Sequence, residues 1–93
     1  MSISEKKYQP SPNAVFTQLS DSESIILDIE TKQFYELNET GSFIWCLMKD
    51  GMSPEEISVE LEKEYDIEQG QAIIHVMDLL EELRQEKLLT FPD

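Results

Sequence analysis

The sequence predicts an α+β fold in which an N-terminal three-stranded antiparallel sheet is followed by three helices. Three observations carry this prediction. β-branched and aromatic residues concentrate in short runs before Asn38, apolar residues recur at helical spacing after it, and turn or capping residues mark each change of regime. At 93 residues the chain has the size of one domain with a single modest core.

The first dozen residues are polar and end in Pro10-Ser11-Pro12, which predicts a flexible N-terminal tail over 1–12 and a folded domain over 13–93. A β-prone run then covers Ala14 to Leu19, and Ser20-Asp21-Ser22-Glu23 is rich in turn formers. Ser24 to Glu30 is the second strand, with Ile25, Leu27 and Ile29 sharing one face at period two. Thr31-Lys32 connects it tightly to a third strand, Gln33 to Leu37.

Asn38 is a preferred helix N-cap, and Phe43, Ile44, Trp45, Leu47 and Met48 follow at helical spacing until Gly51 stops the helix. Ser53-Pro54-Glu55-Glu56 combines a Ser cap, Pro at the first helical position and Glu placed to bond back to the cap. The second helix carries Ile57, Leu61 and Tyr65 on one side. Asp66 to Gly70 interrupts the pattern, and a third helix runs from about Gln71 to Glu86. Its stripe is Ile73, Val76, Met77, Leu80 and Leu83, widened by Ile74 and Leu79 beyond what one packing partner needs. Leu88 to Phe91 reads as a short closing extended segment or turn that packs down, ended by Pro92. The layout is winged-helix-like.

Twenty acidic residues against seven basic ones give a net charge of −13, which repels phosphate backbones and anionic lipid surfaces. Neither nucleic acid nor a membrane is an expected partner; a cationic or mixed-charge partner fits, as does acid that simply keeps the protein in solution. Cys46 is the one cysteine, so no internal disulfide forms. No apolar run approaches the ~18 residues of a membrane span, and a cytoplasmic location is expected.

Catalysis is not expected. The chain has one His and one Cys, His75 and Cys46, in different predicted helices and without a third group to orient them. No cofactor or metal site is expected either: the carboxylates fall on solvated helix faces, and Asp28-Ile29-Glu30-Thr31-Lys32 has too few ligands and no Gly for a calcium loop. The remaining feature is a sheet edge. A three-stranded meander exposes two outer strands with unpaired backbone groups. The third strand, Gln33 to Leu37, presents Phe34 and Tyr35 with Glu36 as its one charge, and the third helix can lie beside it to form a groove for an added peptide strand. On periodicity alone, Phe34 and Tyr35 fit ordinary core positions equally well. Proline at Tyr35 is the expected way to break such an edge.

The string Phe34-Tyr35-Glu36-Leu37-Asn38-Glu39-Thr40-Gly41, with Ile44-Trp45 after it, then Ser53-Pro54-Glu55-Glu56-Ile57, Val76-Met77-Asp78-Leu79-Leu80, Leu83 and Leu88-Leu89, resembles the PqqD-like family in order and spacing. The likeness runs from about Pro12 to Phe91; Lys87 stands where the family often has Gly. It implies a stand-alone recognition element that holds the leader of a ribosomal precursor peptide and delivers it to a separate modifying enzyme or leader protease. Lasso-peptide maturation is the expected pathway. The alternatives are a precursor chaperone in pyrroloquinoline quinone or another modified-peptide pathway and, more distantly, a winged-helix transcription regulator. Carried onto this chain, the resemblance implies main-chain pairing by Gln33, Phe34, Tyr35, Glu36 and Leu37 and a helical wall of Ile74, Met77, Asp78 and Glu81, with the two acids facing a leader Lys or Arg. The expected state is a monomer or weak dimer.

Overall fold

The computed structural model describes residues 8–90. Strands β1 (Gln9–Pro10), β2 (Ala14–Ser20), β3 (Glu23–Asp28) and β4 (Phe34–Leu37) precede helices α1 (Glu39–Lys49), α2 (Pro54–Tyr65) and α3 (Gln69–Gln85), and β5 (Leu89–Thr90) closes the chain. The antiparallel sheet β2-β3-β4 followed by three helices is the expected α+β arrangement.

The helix starts follow the local chemistry. The Asn38 side chain accepts from the Gly41 N–H at 2.8 Å, so the orphan donors of the first turn are partly satisfied before α1 begins. At Ser53 both halves of the capping box form: Glu56 N–H donates to Ser53 Oγ at 3.2 Å, and Ser53 N–H donates to Glu56 Oε1 at 2.9 Å. α3 begins at Gln69 rather than near Gln71, because Asp66 alone takes the left-handed stop of α2, with φ 54°, and Glu68 already serves as the extended N-cap residue.

The sheet turns one face to the helices. Ser24, Ile26 and Asp28 of β3 and Leu37 of β4 are buried, and Phe16 of β2 stacks on Trp45 of α1 with ring centroids 6.2 Å apart. Ile25, Leu27 and Ile29 do share a face, but it is the outer one: Ile25 and Leu27 are half-buried and Ile29 is exposed. The polar residues of the inner face are there because they have partners. Ser24 and Ser42 share a hydrogen bond of 2.6 Å between sheet and helix, and Asp28 accepts from the Glu30 and Thr31 N–H groups at 2.9 and 3.3 Å, shaping the turn into β4. The core continues through Ile44, Trp45, Met48, Ile57, Leu61, Ala72, Val76, Leu80 and Leu83.

The expected tail departs from the structure at its end. Tyr8 is buried, Gln9 and Pro10 pair with Thr90 and Leu89, and the Ser11 N–H donates to the Leu88 carbonyl at 2.9 Å. Among the described residues, packing therefore begins at Tyr8 and regular structure at Gln9, not near Asn13. The partner strand lies at the opposite end of the sequence, so nothing local signals it. Residues 1–7 of the expected tail, like Phe91 and Pro92, lie outside the described residues.

Candidate functional site

β4 is an edge strand, and its hydrogen-bond phase determines what it offers. The Asp28 N–H donates to the Gln33 carbonyl at 2.8 Å. Bonded and non-bonded pairs alternate in an antiparallel ladder, so Tyr35 and Leu37 turn their backbone groups inward to Ile26 and Ser24. Phe34 and Glu36 therefore point their N–H and C=O groups away from the sheet. Side chains follow the opposite logic: Tyr35 and Leu37 face the helices with Ile26, while Phe34, 61% exposed, stands on the outer face.

Beside this edge lies a groove of about 740 Å³. Tyr35, Glu36 and Leu37 form its sheet side, His75 and Leu79 its α3 wall, Ile44 and Ile67 part of its apolar lining, and Leu19 of β2, Ser22 of the turn and Glu23 of β3 close one end. Glu82 of α3 stands near the Tyr35 hydroxyl; burial, then that carboxylate, push the phenol up to about 12. His75, Leu79 and Glu82 follow one another at i, i+4 and i+7, which is one face of a helix.

The helical wall is thus a different diagonal of α3 from the one the sequence suggests. Ile74, 50% exposed, and Asp78 point outward beside the groove rather than into it. Met77, 36% exposed, and Glu81 fall on the far side of the buried stripe Ala72, Val76, Leu80 and Leu83. Glu81 is also occupied: it accepts from the Tyr8 hydroxyl at 2.9 Å and from Arg84 Nη2 at 2.8 Å. Arg84 and then Tyr8 hold its carboxyl below the usual range. Of the residues on the strand, Tyr35, Glu36 and Leu37 line the groove, Phe34 contributes its outward backbone, and Gln33 is spent on the turn to Asp28. The helical wall residues that the sequence missed are His75 and Leu79, with Glu82 near Tyr35. Leu79 was visible as excess width of the apolar stripe; His75 gave no signal.

This geometry has counterparts. The profile of the family described as coenzyme PQQ synthesis protein D (PqqD) matches residues 23–89, which is most of the chain. The chain belongs to the PqqD family. Its fold superposes with a TM-score of 0.80 on TbiB1, solved in complex with the TbiA(β) leader peptide, at 30% identity over 87% of this chain and 93% of that one. A lasso peptide synthetase B1 complexed with the leader peptide matches with a TM-score of 0.83 at 24% identity, over 90% and 98% of the two chains, a likeness of fold. No curated protein matches the chain.

Two marks of the PqqD pattern acquire a physical reason here. In Leu37-Asn38-Glu39-Thr40-Gly41 the cap on Asn38 packs closely on Gly41, where a Cβ would meet Leu37 Cδ2 at 3.1 Å and Asn38 Oδ1 at 3.3 Å and require them to shift. Lys87, where the family often has Gly, takes a left-handed φ of 65°, the conformation in which a side chain is strained. Among the described residues no group of three or more His, Cys, Asp or Glu is placed to hold a metal, and no helix is long and apolar enough to cross a membrane.

Proposed function

We propose that this PqqD-family protein binds the leader segment of a ribosomal precursor peptide as an added antiparallel strand on β4 and presents it to a separate processing enzyme in lasso-peptide maturation. The observation that carries this reading is the open edge of β4, with the Phe34 and Glu36 backbone groups directed outward beside a groove walled by His75 and Leu79. An incoming strand meets main-chain donors and acceptors there, and its alternate side chains reach the Leu37, Ile44 and Leu79 surface. The leader-bound relatives support the same reading at 30% and 24% identity. Glu82 and the neighbouring Glu86, both near Tyr35, replace Glu81 as the acids that meet a leader Lys or Arg; Asp78 stays available at the outward rim.

The protein acts as an adaptor and not as a catalyst: Cys46 of α1 is half-buried, and His75 of α3 stands in the peptide groove. Its expected enzyme partner is a leader protease of the transglutaminase-like type. The family description favours one other reading, a precursor chaperone in pyrroloquinoline quinone synthesis. Titration with the leader of the precursor encoded beside this chain's gene separates them. Saturable binding at or below tens of micromolar by a lasso-type leader supports the proposal; no binding by that leader, with binding of a quinone-cofactor precursor instead, overturns the pathway assignment.

A further inference from the structure

β2 is the other edge of the sheet, and apart from a register shift between Gln18 and Ser20 it lacks the devices that usually protect an edge strand. Its seven residues, Ala14–Ser20, include no charge and no proline. They end the longest uncharged stretch of the chain, Tyr8 to Ser20, in a protein of net charge −13. The backbone phase is fixed here as well: the Ile29 N–H donates to the Asn13 carbonyl at 3.0 Å, so Val15 and Thr17 pair inward with Leu27 and Ile25. Phe16 and Gln18 therefore turn their N–H and C=O groups to the open side. The Ala14 N–H is already held by the Ser11 carbonyl at 3.0 Å, so the free pairing capacity centres on Phe16 and Gln18.

We propose that a second copy of this chain occupies this edge, with β2 pairing antiparallel to β2 across a twofold axis at Thr17. In that register Phe16 lies opposite Gln18, with Thr17 facing its own symmetry mate, and the irregularity between Gln18 and Ser20 bounds the join. Each Phe16–Gln18 pair exchanges two backbone hydrogen bonds. Val15, 44% exposed, stands on the outer face beside Thr17 and is covered as the two strands join. Charge selects the occupant. Two copies of so acidic a chain repel, and most other faces bring carboxylates together; along β2 they meet without opposing a single charge. The interface is isologous and closes on itself. It joins two three-stranded sheets edge to edge and leaves each β4 edge free at the far ends, with Leu19 the one residue of β2 that lines the groove. This inference does not depend on what the groove binds.

Sedimentation equilibrium from low to high micromolar protein, at low and raised salt, tests the proposal. The mass should rise towards twice the monomer value with concentration, and more readily at raised salt, because screening removes the repulsion between copies while the join itself contains no ion pair. Thr17 is exposed, so Thr17→Asp and Thr17→Lys should fold yet remain monomeric, each placing like charges face to face at the axis. Mixing the two variants should restore the dimer. In the wild type the Phe16 and Gln18 amides should gain exchange protection as the dimer fills. A wild type that stays monomeric throughout, single variants that dimerise as the wild type does, a mixture that stays monomeric, or a dimer that the leader peptide dissociates by taking β2 would each overturn the proposal.

Discussion

Replacing Glu36 with proline removes an N–H that faces the open side of β4 and leaves the ladder to β3 whole, since Tyr35 and Leu37 make the inward bonds. Edge strands accept proline on that side. The lost bond contributes about 0.5–1.5 kcal/mol, and a peptide carbonyl left buried without a donor costs about 1–3 kcal/mol. Leader affinity should therefore fall about tenfold, the equivalent of about 1.4 kcal/mol. Glu36→Ala separates the backbone from the carboxylate, so the comparison that matters is Glu36→Pro against Glu36→Ala, by calorimetric titration of the leader with circular dichroism to check folding. Tyr35→Pro, the substitution that the sequence alone suggests, is the wrong test: it deletes the inward bond to Ile26 and should lower the melting temperature before it says anything about binding. Equal leader affinity in Glu36→Pro and Glu36→Ala would refute strand addition at this edge.

Lys87→Gly should stabilise the fold by about 0.5–1 kcal/mol, because relief of a left-handed non-glycine residue exceeds the entropic cost of glycine; thermal melting should move up by a few degrees. Alkaline titration followed by tyrosinate absorbance should find Tyr35 ionising near pH 12, after an unfolded tyrosine at about pH 10. The sign follows from the raised folded value: the contribution of Tyr35 is fully present below about pH 10 and is lost as pH rises through about 12, so denaturant midpoints should fall across that window. Glu81, held below the usual carboxylate range by Arg84 and Tyr8, acts in the opposite direction; its contribution is present above the ordinary carboxylate value of 4.5 and is lost as pH falls through its lowered value.

Much of the fold is legible because its signals are local. Asn38, Ser53 and Pro54 start helices by bonds that reach three residues at most, and the same bonds are present in the structure. The meander is equally local, each strand following its neighbour through a short turn. What the sequence hides is pairing across the whole chain. Tyr8 to Pro10 reads as tail because its partners, Leu89, Thr90 and Glu81, are contributed by the far end. The face of β3 is hidden for a different reason. Ile25, Leu27 and Ile29 advertise a core face by composition, yet Ser24 and Asp28 occupy the inner one because Ser42 and the turn amides satisfy them. Alternation reveals that two faces differ, and the hydrogen-bond partners decide which is inside.

The rotation of α3 belongs to the same class of problem and has the larger functional consequence. Its apolar stripe is wide enough to be turned either way, and Ile74 and Met77 are as hydrophobic as Val76 and Leu80, so composition cannot choose the buried diagonal. The choice is made by small and distant contacts. Ala72, the least conspicuous apolar residue of the helix, is fully buried, while the Tyr8 hydroxyl engages Glu81 beside Arg84. With Glu81 on that flank, the opposite flank brings His75, Leu79 and Glu82 to β4. Under the proposed function, the acid offered to a basic leader side chain is therefore Glu82, beside Tyr35, in place of Glu81. Glu82→Gln should weaken binding of a leader bearing Lys or Arg and flatten its salt dependence, whereas Glu81→Gln should act on stability through Tyr8 and Arg84 and leave leader affinity unchanged. The reverse pattern would mean that α3 is turned the other way in the complex.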